Sequence, residues 1–279
     1  VRFTLPNGQT RVGVLIQPAD APFPPRNTRI VVWQEGGPGP AMVNMWNASV
    51  ERPFALLPGM GIALLVTPLA GRAGYSPAVF NSLADGANFG QIDIDEQAAI
   101  VRDMIRRGWT SPDKVGITGC SYGGYVALEY ALTEPGAGRP MILVSTAPKL
   151  DHTDVVAENA AKRGTPEQVE AVQVRLSRRQ ADDAEWADLW RTLLPLYFHA
   201  PTPELVARAH DGTHFSAQAF NTAHLRALQA YDVSGRLAEI TGETLVVSGD
   251  DDWILPLEIC SLPLATGIPR ASLAVLPEC

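Results

Sequence analysis

The chain has 279 residues, of which 46% are hydrophobic and 19% are charged, and its net charge is -8 at pH 7. This composition is that of a folded globular protein and excludes an extensively disordered chain. Because the charge is negative and forms no basic stripe, we expect neither nucleic acid nor an anionic membrane surface as a partner. No run approaches 18 apolar residues, so the sequence predicts no membrane span, and the N-terminus lacks the pattern of a signal peptide.

Three cysteines occur, Cys120, Cys260 and Cys279. Their spacing matches no metal site, and any disulfide would leave one of them unpaired. We therefore predict a reducing, cytoplasmic location, and the sequence indicates no metal or other cofactor. The first residue is Val1 and not methionine, which leaves room for a further N-terminal segment.

The N-terminal part predicts a hairpin followed by a first buried strand. Residues 2–5 and 10–16 flank an Asn7-Gly8 turn, which is a strong hairpin signal. The apolar strand at 29–34 leads into residues 35–40, with three glycines and two prolines. Backbone N–H groups can converge in such a loop. A phosphate cradle would need a lysine and a helix start, which are absent here, so oxyanion stabilisation fits better and a plain turn is the alternative.

Strands and helices alternate through the next hundred residues. An apolar strand at 62–67 is followed by a helix that we expect Asp93 and Glu96 to begin as a capping box. Further buried strands are predicted at 114–118 and 141–146. Near-continuous apolar strands in this order are typical of a parallel sheet with helices on both faces.

The motif with the most chemical content lies between a strand-like and a helical run in residues 115–132. Ser121 is the centre of Gly119-x-Ser121-x-Gly123, the pattern of a nucleophile elbow, in which a strained turn exposes the serine hydroxyl. The N–H group of Tyr122 would point to the same place and could hold an oxyanion. An ordinary strand-to-helix turn is the alternative, and the flanking strand and helix favour the catalytic interpretation.

Helical segments replace strands in residues 150–232. Residues 165–168 and 182–185 each supply an N-cap and a capping partner for a helix with one apolar face. We predict a helical cap at 150–232, inserted between two parts of an α/β core at 1–149 and 233–279.

The core resumes with a strand at 244–248, which runs into Asp250, Asp251 and Asp252, and a last strand is predicted at 272–276. A serine nucleophile needs a histidine base and a carboxylate that orients it. Three adjacent like charges are costly unless one of them is directed inward. One of these carboxylates is therefore a candidate catalytic acid, and a solvated acidic turn is the alternative.

Three segments together resemble an α/β-hydrolase of the proline iminopeptidase-like group: Glu35-Gly36-Gly37-Pro38-Gly39, the elbow around Ser121, and Gly249-x-x-Asp252-x-x-x-Pro256. The resemblance spans nearly the whole chain. It implies the α/β-hydrolase fold, with a mostly parallel sheet, helices on both faces and a helical cap. It also implies Ser121 as the nucleophile, Asp252 as the triad acid, and the backbone N–H groups of Gly37 and Tyr122 as the oxyanion hole.

The chain departs from the pattern of that group in two places. Glu35 stands where the group commonly has a histidine, which affects the hydrogen bonding of the loop more than its backbone donors. In addition, no histidine follows Asp252, whereas the group has one just after the last strand. The five histidines all precede it: His152, His199, His210, His214 and His224. We therefore expect a fragment that stops short of its general base. We expect the cap histidines to be ordinary surface or packed residues, and contact with the substrate is the alternative.

The resemblance implies a serine hydrolase that releases N-terminal residues, proline among them, from short peptides. A free amino terminus would require a carboxylate in the cap, for which the candidates are Glu167, Glu170, Glu185 and Glu204. Two alternatives stay open. One is an esterase, amidase or lactonase of the same fold that acts on a neutral small molecule, and the other is a non-catalytic binding protein with a degenerate hydrolase site.

Overall fold

A mostly parallel seven-stranded sheet forms the centre of the computed structural model, which describes residues 1–34, 56–67, 69–70, 77–80, 82, 91–134, 138–211, 213 and 215–278. The strands are β1 (Arg2–Thr4), β2 (Thr10–Val12), β3 (Val14–Ile16), β4 (Ile30–Gln34), β5 (Ala63–Val66), β6 (Val115–Cys120), β7 (Met141–Val144), β8 (Thr244–Gly249) and β9 (Ala271–Leu276). Their order in the sheet is β3-β5-β4-β6-β7-β8-β9. All neighbours are parallel except β3 and β5, which are antiparallel. The predicted parallel sheet is therefore confirmed.

The residues of β5 show why the central strands lack an alternating pattern. All four are buried, with Ala63 and Leu65 in one apolar cluster and Leu64 and Val66 in another. Successive side chains of a strand point to opposite faces, so both faces of the sheet are covered at this strand.

The predicted N-terminal hairpin is present, but its second strand is divided. β1 pairs with β2 across the Asn7-Gly8 turn, whereas β3 pairs with β5 in the main sheet. The division falls at Gly13, where a Cβ atom would lie 3.1 Å from both the Leu65 side chain and the Val66 carbonyl oxygen. The chain thus passes close to β5 at this position before it joins the main sheet.

Helices cover the sheet and follow one another after β7. They are α1 (Leu56–Gly59), α2 (Pro77–Phe80), α3 (Gln91–Arg106), α4 (Tyr122–Thr133), α5 (Thr153–Arg163), α6 (Pro166–Ser177), α7 (Asp183–Leu193), α8 (Pro203–Asp211), α9 (Ala217–Thr222) and α10 (Ser261–Gly267). A backbone bridge joins Lys149 to Asp232, so the two ends of the helical segment lie side by side. Among the described residues, no helix is both long and apolar enough to cross a bilayer.

The predicted capping box at the start of α3 is wrong. The helix begins at Gln91, so Asp93 lies inside its first turn and not at the N-cap. The Asp93 carboxylate instead accepts a hydrogen bond from the Tyr122 hydroxyl at 2.5 Å. Glu96 is buried in an ion pair with Arg11 at 2.5 Å and accepts a hydrogen bond from the Ala70 N–H at 2.8 Å. The carboxylates of Asp93 and Glu96, which the capping-box pattern assigned to the helix end, thus bond to residues that are distant in the sequence.

Candidate active site

The turn between β6 and α4 holds Ser121 in a backbone conformation that is rare for a residue with a side chain. Its φ is 51° and its ψ is -118°, and it occupies the N-cap position of α4. Such strained conformations cost roughly 1–3 kcal/mol and persist only where the surroundings enforce them. Here the Ser121 N–H lies 3.0 Å from both the Val144 and the Ser145 carbonyl oxygens. Its own carbonyl accepts hydrogen bonds from the Gly124 N–H at 2.9 Å and from the Thr146 hydroxyl at 3.1 Å.

Two glycines allow this turn to close. A Cβ atom at Gly119 would lie 2.1 Å from the Gly123 carbonyl oxygen, and one at Gly124 would lie 2.5 Å from the Thr146 side chain. Contacts of this kind essentially never occur between a real Cβ and its neighbours. Gly119 of the motif and Gly124 just after it therefore let strand and helix approach, which is the geometry that a nucleophile elbow needs.

The oxyanion hole predicted from the sequence is only partly within the described residues. Tyr122 is the first residue of α4, is buried, and borders the same cavity as Ser121. Its hydroxyl donates a hydrogen bond to the Asp93 carboxylate, which holds the side chain in place. Gly37 and the loop around it lie outside the described residues.

The three carboxylates after β8 have different surroundings. Asp250 and Asp251 are exposed, and Asp251 forms an ion pair with Arg163 at 3.0 Å. Asp252 is half-buried, and its Oδ1 accepts hydrogen bonds from the N–H groups of Ile254 at 3.1 Å and Leu255 at 2.9 Å. The predicted acid is thus the member of the three that turns toward the protein.

Tyr125 connects the Asp252 turn electrostatically to the cavity. Burial raises the pKa of the Tyr125 hydroxyl far above its usual range, and the nearby Cys260 and Asp252 raise this pKa further. Tyr125 lines the cavity together with Ser121, and so do Ile254 and Leu255 beside Asp252. The structure therefore brings the predicted nucleophile and the turn of the predicted acid to one cavity.

This cavity has a volume of about 380 Å³ and lies between the start of α4, the loop after β8 and the helices that follow β7. A volume of this size suits a small molecule, for which pockets of roughly 300–1,000 Å³ are usual. The described residues that line it are mostly apolar or aromatic: Ser121, Tyr122, Tyr125, Leu150, His152, Thr153, Val156, Arg175, Leu176, Trp186, Trp190, Tyr197, Thr213, Phe215, Phe220, Ala223, His224, Leu228, Gln229, Ile254 and Leu255.

Aromatic side chains form a continuous wall of the cavity. Trp186 stacks on Phe220 with ring centroids 3.8 Å apart, and Trp190 lies between Trp186 and Tyr197 at centroid distances of 5.5 and 4.8 Å. Trp186 and Trp190 lie one turn apart on α7, so both belong to the one apolar face that the sequence predicts for this helix. The sequence did not indicate that they face a cavity, because an apolar stripe that packs into a core has the same spacing.

Two histidines of the helical segment also border the cavity. His224 stacks on Phe220, and burial, reinforced by the positive charge of Arg175, lowers the pKa of its imidazole to about 3. His152 is 7% exposed, with its Nε2 3.0 Å from the Ile254 carbonyl oxygen and 3.6 Å from the Cys260 sulfur. Burial raises the pKa of Cys260 to about 12, so this thiol is protonated at neutral pH. His199 is exposed, His210 bonds to the Ala187 carbonyl, and His214 lies outside the described residues.

None of the cap carboxylates nominated from the sequence borders the cavity. Glu167, Glu170 and Glu204 are exposed, and Glu185 forms an ion pair with Arg178 at 2.6 Å. Among the described residues the lining contains no aspartate or glutamate, and its one lysine or arginine is Arg175. The same part of the chain contains no group of three or more side chains that could hold a metal ion. Arg175 was missed by the sequence analysis, since nothing in its local sequence distinguishes it from the other arginines of the helical segment.

Comparison with known proteins agrees with this architecture. The sequence model of Peptidase_S9, the prolyl oligopeptidase family, matches residues 48–165. A proline iminopeptidase, PfmaB, from Pestalotiopsis fici is 28% identical over 160 residues, which are 56% of this chain and 57% of that protein. The chain thus matches little more than half the length of this relative.

Solved structures cover the chain more completely. An esterase from Exiguobacterium antarcticum has a TM-score of 0.68 at 18% identity, over 100% of this chain and 92% of that one. A proline iminopeptidase from Mycobacterium smegmatis has a TM-score of 0.66 at 18% identity, over 99% of this chain and 90% of that one. The predicted α/β-hydrolase fold is confirmed. Because the matched proteins are named for different bonds, the similarities support a hydrolase without distinguishing a peptide from an ester substrate.

Proposed function

We propose that this protein is a serine hydrolase that cleaves a small, largely apolar ester, lactone or amide through an acyl-enzyme on Ser121. The observation that carries the proposal is the strained Ser121 at the floor of an aromatic cavity that has no described carboxylate. A strained serine between a strand and a helix costs stability, and such strain is typical of functional sites. Ser121 borders a cavity of ligand size, so catalysis accounts for the strain.

In this mechanism the Ser121 hydroxyl attacks the carbonyl carbon of the substrate and its proton passes to a base. Negative charge that develops on the carbonyl oxygen is stabilised by the N–H groups of Tyr122 and Gly37. The tetrahedral intermediate then expels the alcohol or amine, which takes the proton from the base, and the acyl group remains on Ser121. Water, deprotonated by the same base, releases the acid and restores the serine.

The base is proposed to be a histidine that follows β9 and is oriented by Asp252. β8 and β9 are parallel, so their carboxyl ends lie at the same edge of the sheet. The Asp250 N–H donates to the Leu276 carbonyl oxygen at 3.1 Å, so the last residue of β9 lies beside the acidic turn. A histidine encoded shortly after Cys279 would therefore be within reach of Asp252.

An aminopeptidase is the second candidate, and the similarity to PfmaB favours it. A protonated amino terminus needs a carboxylate partner when water is removed from it. The described lining offers Arg175 in place of a carboxylate, and this cation would repel an ammonium group. The charge of the cavity therefore supports an ester, lactone or amide over a free N-terminal peptide.

A substrate panel separates these candidates. The protein, expressed with any residues that its gene encodes after Cys279, is assayed on 4-nitrophenyl esters, on lactones, and on proline and other aminoacyl 4-nitroanilides, with Ser121→Ala as the control. We expect ester or lactone hydrolysis that the substitution abolishes. Faster cleavage of the aminoacyl anilides would favour the second candidate. Absence of turnover on every substrate would point instead to a non-catalytic binding protein.

A further inference from the structure

If Ser121 is the nucleophile of a hydrolase, as proposed above, the charge on the cavity wall decides which substrates reach it. Arg175 lies in the last turn of α6 and lines the cavity. Its Nε atom is buried without a hydrogen-bond partner, and the guanidinium forms no ion pair within the described chain. An arginine has five N–H donors and no neutral form in proteins, so it cannot relieve this situation by losing its charge.

Three other arginines of the helical segment form ion pairs with carboxylates. Arg163 pairs with Asp251, Arg178 with Glu185 and Arg191 with Asp188. All three pairs lie toward solvent, where a partner contributes little to stability. Arg175 differs from these three because it borders a mostly apolar cavity, where a partner would matter more.

The position of Arg175 at a helix C-terminus does not account for it. Helix carbonyls attract a cation there, but this attraction is weak compared with the cost of leaving a charged donor buried and unpaired. His224 gives no better partner, because its imidazole stays neutral beside Arg175 and carries no negative charge. The Arg175 guanidinium is therefore available to bind a negatively charged group of a ligand in the cavity.

We propose that Arg175 binds a carboxylate of the substrate, so that the substrates are acid-bearing esters, lactones or amides with an aromatic or apolar body. A carboxylate fits better than a phosphate, because its two oxygens match the planar fork of one guanidinium and its single charge is neutralised by one arginine. The stacked ring wall of Trp186, Trp190 and Phe220 would hold the apolar body. Arg175 is thus a specificity-determining residue, which contacts the substrate away from the bond that is cleaved.

Matched ester pairs test this assignment kinetically. The 4-nitrophenyl monoester of a dicarboxylic acid is compared with the same compound whose far carboxylate is methylated. We expect the acid to have the higher kcat/KM, and Arg175→Met to lower its kcat/KM roughly 10- to 100-fold, with the methyl ester changed by less than about 3-fold. Arg175→Lys should restore part of the preference. Arg178→Met, which removes an exposed, ion-paired arginine nearby, should leave both substrates unchanged.

The assignment would be overturned if Arg175→Met lowered kcat/KM equally for the acid and the methyl ester, or if the unsubstituted protein did not prefer the acid. In either case, ester hydrolysis that depends on Ser121 would still uphold the proposed function. A binding measurement tests the carboxylate site independently of hydrolase activity. Tryptophan fluorescence is titrated with 3-phenylpropionate and with 3-phenylpropionamide, its uncharged counterpart, in the Ser121→Ala protein. We expect the acid to bind at least about 10-fold more tightly, and Arg175→Met to remove the difference. Equal affinities for the acid and the amide would refute the carboxylate site even in a protein without hydrolase activity.

The same substitution has a further signature in thermal unfolding. Because Arg175 has no ion-pair partner among the described residues, Arg175→Met should leave the Tm unchanged or raise it in the absence of ligand. It should also abolish the upward shift in Tm that 3-phenylpropionate produces. A marked fall in Tm without ligand would contradict the view that the guanidinium is unpaired.

Discussion

His224 should make the folded state sensitive to mild acid. It stacks on Phe220 beside the Arg175 cation, and burial, followed by that positive charge, lowers the pKa of the imidazole to about 3. In the unfolded chain a histidine has a pKa near about 6.5. Between these two values the unfolded state binds a proton that the folded state does not, so acid favours unfolding. The contribution of His224 to stability is complete above about pH 6.5 and is lost progressively as the pH falls toward 3.

The size of this effect follows from the separation of the two pKa values. Each pH unit between them changes the free energy of unfolding by about 1.4 kcal/mol, so lowering the pH from 7 to 5 should cost about 2 kcal/mol through His224 alone. Urea unfolding of the wild type and of His224→Gln at both pH values measures it. Contributions from carboxylates are common to the two proteins and cancel in the comparison.

His199→Gln is the matched control, because His199 is exposed. We expect the loss of stability between pH 7 and pH 5 to be smaller by about 2 kcal/mol in His224→Gln and unchanged in His199→Gln. If the wild type and His224→Gln lost the same amount to within about 0.5 kcal/mol, His224 would not be held neutral beside Arg175.

Two further substitutions test the packing that positions the site. Gly119→Ala places a Cβ 2.1 Å from a backbone oxygen and should lower the unfolding free energy by about 3 kcal/mol. Gly235→Ala, whose Cβ would have no atom within 4 Å, is the control and should be nearly neutral. Similar Tm values for the two variants would contradict the view that a Cβ at Gly119 clashes. Arg11→Met leaves the buried Glu96 carboxylate without its ion pair and should lower the unfolding free energy by about 3–5 kcal/mol. Adding Glu96→Gln should recover part of this loss. If the double variant lost as much unfolding free energy as the two single variants together, the pair would not be coupled.

The order and type of the core elements could be predicted because local signals agree there with the final structure. β5 is apolar along its length and β4 is apolar up to its last residue, Gln34, and the parallel sheet buries both strands. The capping box of α6 is also present, since Thr165 and Gln168 bond to each other's backbone within one helical turn, and this pairing needs no distant residue. At α3 the same rule failed, because Asp93 meets the Tyr122 hydroxyl from a helix 29 residues away along the chain.

The candidate site was predictable only where its residues share a local motif. The turn around Ser121 is specified by the glycines next to it, and the structure gives that serine a positive φ. The lack of an ion-pair partner for Arg175 among the described residues depends on where distant carboxylates lie in the fold, which no local pattern contains. For the same reason the sequence could nominate Glu167 and Glu204 as ligands of an amino terminus, although both lie on the exposed surface.

Covalent labelling of Ser121 tests the central claim most directly. The protein, with any residues that its gene encodes after Cys279, is treated with a fluorophosphonate, digested, and analysed by mass spectrometry. We predict that the phosphonyl group is added to the peptide that contains Ser121 and that Ser121→Ala, with unchanged Tm, takes up none. Labelling that persists in Ser121→Ala, or that falls on a different serine in the wild type, would contradict the assignment of Ser121 as the nucleophile.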